Sequence, residues 1–170
     1  MDESFQPTRE DDCGRLFLRA AAARLEKDYL PKLQVCIDEL PTADLWWRPH
    51  EACNSVGQLL LHLEGNLRQW VLSGLGGQSD TRKRDLEFTP TVHPSGRELL
   101  DRLRATIHEA ARILRNLPSA ELRRRRRIQI YDVTGLHAAL HAVEHFSGHT
   151  GQIIWITKLR TGEDLGFYPL

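Results

Sequence analysis

His137-Ala-Ala-Leu-His141-Ala-Val-Glu144-His145-Phe-Ser-Gly-His149 is the stretch on which the fold turns. It carries four of the chain's eight histidines, each four residues from the next. On a helix, residues i and i+4 lie one turn apart, so the four form a ladder along one side. Each step drifts by ~40°, and the ladder cannot point one way throughout. In projection, Leu136, Leu140, Val143, Phe146 and Ile154 build the main apolar face. His137 and His141 fall toward the polar side with Glu144. His145 and His149 fall on an inward flank among Ala138, Ala142, Ile153 and Ile156. The small alanines leave room there for imidazoles and an ion. A helix of this kind has to bury its apolar side against others, and the rest of the chain reads as a bundle around it.

The remaining helices follow from caps and spacing. Helix one is expected from about Asp12 to about Asp38, capped by Asp11 or Asp12. Leu16, Leu18, Ala22, Leu25, Tyr29, Leu33 and Ile37 recur at roughly helical spacing. Pro31 is expected to kink it, because it removes a donor and crowds the preceding turn. Residues 1–11 are polar and expected to fray. Helix two starts at a capping box, Ser55 with Gln58, and runs to about Leu72 before Gly74. His62 and Asn66 share the flank of its apolar stripe. Helix three opens with a second box, Ser95 with Glu98, and ends near Leu117 before Pro118. One short strand or hairpin is expected near 124–131. The last helix is capped by Asp132 or Thr134 and runs from about Gly135 to about Arg160. The fold class is therefore all-α, a single bundle domain over 1–170. In the tail, Phe167 and Tyr168 call for burial against it.

Composition narrows the function. The chain has 170 residues, no formal net charge and a 41% hydrophobic content, which suit one soluble domain with a real core. No apolar run approaches the ~20 residues of a membrane span. The N-terminus has no export pattern, and Cys13, Cys36 and Cys53 suit a reducing cytoplasm better than a disulfide framework. Nucleic acid is not expected. The run Arg123–Arg127 has no basic helix face or aromatic platform beside it, and a small anionic substrate is the better partner for one of these arginines.

Two loops carry open questions. Trp46 and Trp47, between two prolines, either pack on the bundle or line a pocket. The polar loop 75–94 is long enough to be functional or mobile.

From the residues alone, His145 and His149 are the favoured metal pair, with His62 on another helix as third ligand. His141-Ala-Val-Glu144-His145 also matches the inverted zinc-peptidase pattern, with Glu144 as general base. That reading needs a further carboxylate ligand that no motif supplies. A third reading makes all of these ordinary surface and core histidines.

Trp47-Arg-Pro49, Asn54-Ser55-Val-Gly-Gln-Leu-Leu-Leu-His62-Leu and Glu144-His145-Phe-Ser-Gly-His149-Thr-Gly-Gln152-Ile153 together resemble the DinB/YfiT-like superfamily. The likeness runs from helix one past Gln152. It implies a four-helix bundle with a long crossover connection, often a homodimer. It also implies a divalent metal, nickel or zinc among others, on His62, His145 and His149. Relatives of this kind include transferases and isomerases that use bacillithiol or mycothiol, and a metal-dependent hydrolase activity has been proposed for the family. Three neutral imidazoles would leave an ion with open positions, where a water or low-molecular-weight thiol loses its proton near neutral pH. Transfer of such a thiol to an electrophilic small molecule is the leading expectation. The alternatives are a hydrolase, or a metal-binding or dimeric stress-response protein without chemistry of its own. Asn66 and Glu144 are candidates for catalytic support, and Arg68 and Trp47 for holding a cofactor, with Arg48 or an arginine of 123–127 as other anchors for an anionic group. An enzyme should also show a pocket beside the ion, with Trp46, Trp47 or Trp70 near its rim.

Overall fold

The computed structural model describes residues 12–167. Residues 1–11 and Tyr168, read above as a frayed end and a buried aromatic, lie outside them. Helix α1, Cys13–Ala23, begins at Asp12, whose carboxylate accepts the Arg15 N–H at 2.8 Å. A wide π-helical turn, Arg24–Tyr29, then leads into α2, Leu30–Glu39, without a break. This is how Pro31 is accommodated. Leu30 N–H bonds five residues back to Leu25, so the ladder changes register just before the residue that has no N–H to give. A widened turn thus stands where a kink was expected.

The next helix, α3, Val56–Leu67, starts at the Ser55/Gln58 box and ends in a second π turn, Arg68–Ser73. The long loop that follows is not bare. It holds a one-turn helix, α4, Asp85–Phe88, too short for any periodicity to reveal. Helix α5, Gly96–Asn116, opens at the Ser95/Glu98 box. A hairpin pairs β1, Arg125–Ile128, antiparallel with β2, Tyr131–Thr134, in the register Arg125 to Thr134 through Ile128 to Tyr131. It turns on Gln129, whose φ of 55° is left-handed. Helix α6, Gly135–Thr161, is capped by Thr134 and stopped by Gly162 in the left-handed conformation.

The four long segments form a ring. α1 and α2 pack on α5 and α6, and α3 packs on the same two from the opposite side. Connections 40–55 and 117–134 therefore cross between diagonal partners. The core is leucine-rich, with Leu25, Leu33, Leu63, Leu67, Leu103 and Ile107 closed to solvent. Arginines of the hairpin are largely spoken for: Arg125 pairs with Asp132, and Arg126 reaches Glu121 and the Gly74 carbonyl. Residue Cys36 is buried beside Thr157, and burial raises its thiol pKa to about 11, which makes it inert.

One projection fails. Leu136 and Leu140, assigned to the inner face of α6, are 46% and 50% exposed. The face that packs is instead Ala138, Ala139, Ala142, Phe146, Thr150, Ile153, Ile156 and Thr157. This helix has apolar residues nearly all round, so a periodicity count cannot choose its inner side. Packing chooses the side whose alanines let α6 come closest to its neighbours.

Candidate metal centre

Each histidine of interest is delivered by a long helix that packing fixes. His62 lies on α3 and is 6% exposed, and His145 and His149 lie one turn apart on α6, half-buried. Among the described residues these three gather into one cluster, with one ring nitrogen from each within 4.8 Å of the others. The Nε2 atoms of His62 and His145 are 2.9 Å apart. That is near the separation of two nitrogens bound ~2.0–2.1 Å from one ion, and side-chain rotations of under ~1 Å would bring in the wider pair.

Hydrogen bonds prepare two of the three rings. The Nδ1 of His62 sits 2.8 Å from Glu87 Oε2, and the Nδ1 of His149 sits 2.7 Å from Gln152 Oε1. Each Nδ1–H donates to an oxygen, which leaves each Nε2 lone pair free to bind an ion. His145 is kept neutral: burial, then the charges His149, His62, His141 and Arg82 can carry, push its pKa down to about 3. Burial also lowers the pKa of His149, against the opposing Gln152 bond. Three imidazoles that do not protonate at neutral pH are a fitting donor set for a divalent cation.

Behind His62 lies a buried ion pair that the sequence reading did not single out. Glu87, on α4, accepts from Arg82 twice, Nε to Oε1 at 2.7 Å and Nη2 to Oε2 at 2.8 Å. The two side chains are only 4% and 9% exposed. Burial raises the Glu87 pKa, but the hydrogen bonds from Arg82 and His62 outweigh it, and the carboxyl ends below its ordinary value. Arg82 also donates to Gln69 Oε1 at 2.8 Å, and Gln129 at the hairpin tip donates to that same oxygen. Gly65 makes this possible. A Cβ there would come within 2.1 Å of Glu87 Oε1, so the pair fits against α3 only because residue 65 has no side chain. Gln58 pins the far end of α4 by donating to the Phe88 carbonyl, and the Phe88 ring lies 5.0 Å from that of His62. The length of loop 75–94 was the one signal available.

Other residues singled out from sequence take these places. Asn66 donates to His141 Nε2 at 3.3 Å, and His141 lies between Trp70, at 3.9 Å, and His145, at 5.3 Å between ring centres. His141 is thus half-buried rather than on the polar side, and it stands outside the cluster, as does His137. Burial, then His137, lower its pKa. Glu144 is exposed. Trp46 packs over Gly57. Trp47 lies under the Arg160 guanidinium, 4.5 Å away, near the end of α6 and roughly 16 Å along that helix from His149. Arg68 lines a groove of about 450 Å³ that shares Arg82 and Glu87 with the site, together with Lys83 and Arg102. A smaller pocket, about 320 Å³, is lined by Pro49, Cys53, Leu59, Gln152 and Trp155 and borders the site through Gln152.

Residues 12–167 match a family described as a protein of unknown function, DUF1572, and the chain belongs to that family. No curated protein matches it. No helix among the described residues is long and apolar enough to cross a membrane.

Proposed function

We propose that this DUF1572 protein is a divalent-metal-dependent enzyme of the DinB/YfiT-like kind, with His62, His145 and His149 as ligands and nickel or zinc as the metal. The observation that carries the reading is the convergence of three neutral imidazoles from two helices, two of them with Nδ1 tied to an oxygen acceptor. An ion there supplies Lewis acidity and lowers the pKa of a coordinated water or thiol. The reaction we assign is transfer of a low-molecular-weight thiol, of the bacillithiol or mycothiol type, to an electrophilic small molecule.

The chain's own residues would divide the work. His62 and His149 are oriented by Glu87 and Gln152. The pocket at Cys53, Leu59 and Trp155 offers an apolar wall beside His149 for the electrophile. Arg68 and Lys83 offer cationic groups for an anionic cofactor in the neighbouring groove. His141, neutral at physiological pH and packed on His145, is the nearest base to receive a proton. The exposed apolar residues Leu136, Leu140, Trp155 and Leu159 on α6 support pairing of two copies. Free thiols at Cys13, Cys36 and Cys53 support a cytoplasmic setting.

The test is to purify the protein without added metal or a histidine tag and to measure bound metals by mass spectrometry, wild type beside His145→Ala. About one ion per chain, lost in the variant, is expected. The loaded protein is then screened with low-molecular-weight thiols and electrophiles. Turnover with water and no thiol would make it a hydrolase. A bound ion without turnover of either kind would leave a metal-binding module. No ion, even after reconstitution with nickel, zinc and manganese, would remove the basis of the proposal.

A further inference from the structure

His62 Nδ1 faces two groups of opposite hydrogen-bonding sense. Glu87 Oε2, at 2.8 Å, can only accept, and Arg82 Nη2, at 3.1 Å, can only donate. A neutral imidazole has one N–H to place. With the proton on Nδ1, Glu87 is satisfied and Nε2 presents a lone pair toward His145. With Arg82 donating to Nδ1, the proton must sit on Nε2, where it blocks a metal. The choice between the two tautomers is therefore the choice between a competent and an incompetent ligand.

We infer that Glu87 is a positioning residue that holds His62 in its metal-binding tautomer against Arg82. The inference rests on the three-histidine reading above. Glu87 acts twice. It accepts the Nδ1 proton, and it occupies Arg82 Nε and Nη2, the latter being the donor that would otherwise compete. Water cannot take over either task, because both side chains are buried. The support extends outward. Arg82 Nη1 is held by Gln69, Gln69 donates to Asp80 at 2.7 Å, and Gln129 of the hairpin tip closes on Gln69. A segment remote in sequence, the turn of the hairpin, thus backs the ligand through four side chains.

The experiment uses full-length, untagged, metal-free protein. Long-range proton–nitrogen NMR reads the His62 tautomer, and competition with a chromogenic chelator reads zinc and nickel affinity. Wild type is compared with Glu87→Ala, Glu87→Ala/Arg82→Ala and His145→Ala. Wild type is expected as the Nδ1–H form. Glu87→Ala is expected to move the proton to Nε2 and to weaken metal binding ~10–100-fold. The double variant lacks the competing donor and is expected to regain most of that affinity, although it has lost more of the loop. A purely structural role for Glu87 predicts the reverse order, the double variant being weaker than the single one, and that result would overturn the inference. An Nε2–H His62 in the wild type overturns it equally, whether or not Glu87→Ala folds. If wild type binds neither metal, the three-histidine reading fails, while the tautomer spectra still decide the role of Glu87.

Discussion

His62 and His145 place ring nitrogens 2.9 Å apart, yet they are held in opposite ways. His62 is closed to solvent, gripped at Nδ1 by Glu87 and backed by Arg82, Gln69 and Gln129. His145 is half-buried, touched mainly by other aromatic rings, and positioned by its helix rather than by a hydrogen-bonded frame. One side of the centre is a fixed post and the other an adjustable rung. Fixed geometry and adjustability are both useful at an ion that must exchange ligands: the post sets where the ion sits, and the rungs can follow it.

The comparison can be broken most severely at the rung. His145→Ala should abolish stoichiometric metal binding while leaving the metal-free fold intact, as read by mass spectrometry and circular dichroism. Retained binding would assign the ion elsewhere. At the post, Gly65→Ala should be nearly as damaging by another route. The new Cβ must push Glu87 and Arg82 off α3, with a loss of about 1–3 kcal/mol in urea unfolding and weaker zinc binding. An unchanged midpoint would mean that the loop yields without loss.

Acidity separates the two sides more gently. The folded-state pKa values of His145, His149 and His141 are lowered, so the unfolded chain binds more protons below the ordinary histidine pKa of 6.5. Stability of the metal-free protein is therefore full above that value and falls as pH drops toward the folded pKa of about 3 for His145. Urea midpoints at pH 7.5 and 5 should show the loss, and His145→Ala should reduce it. The smallest effect is expected at Gln152→Ala, about tenfold at most in zinc affinity, because this amide is exposed and water can replace it. A loss as large as that of Glu87→Ala would erase the distinction between post and rung.

How much of this was legible in the sequence depended on whether the determining contacts were local. The capping boxes at Ser55 and Ser95 are satisfied within three residues, and they mark where α3 and α5 begin. The three histidines were readable because helix geometry converts i,i+4 spacing directly into proximity. Glu87 and Arg82 were not, because a charged residue in a loop reads as solvated. Their burial is decided by the absence of a side chain at Gly65, about twenty positions away in the chain. Leu136 and Leu140 misled for a related reason: a helix apolar on all sides gives no phase, and the alanine face won through closeness of approach. His141 was placed on the polar side by the same projection and instead packs on Trp70.

The wide turn Arg68–Ser73 bears on how such a protein diverges. One extra residue in a helical turn rotates everything downstream by ~100°, and here that rotation aims Gln69 at the loop and Trp70 at His141. The turn works as a phase shifter, so its history should be written in alignments as a gap rather than as substitutions. Relatives without it are expected to align with one residue missing between 68 and 73, and to carry a different residue where Gln69 holds Arg82.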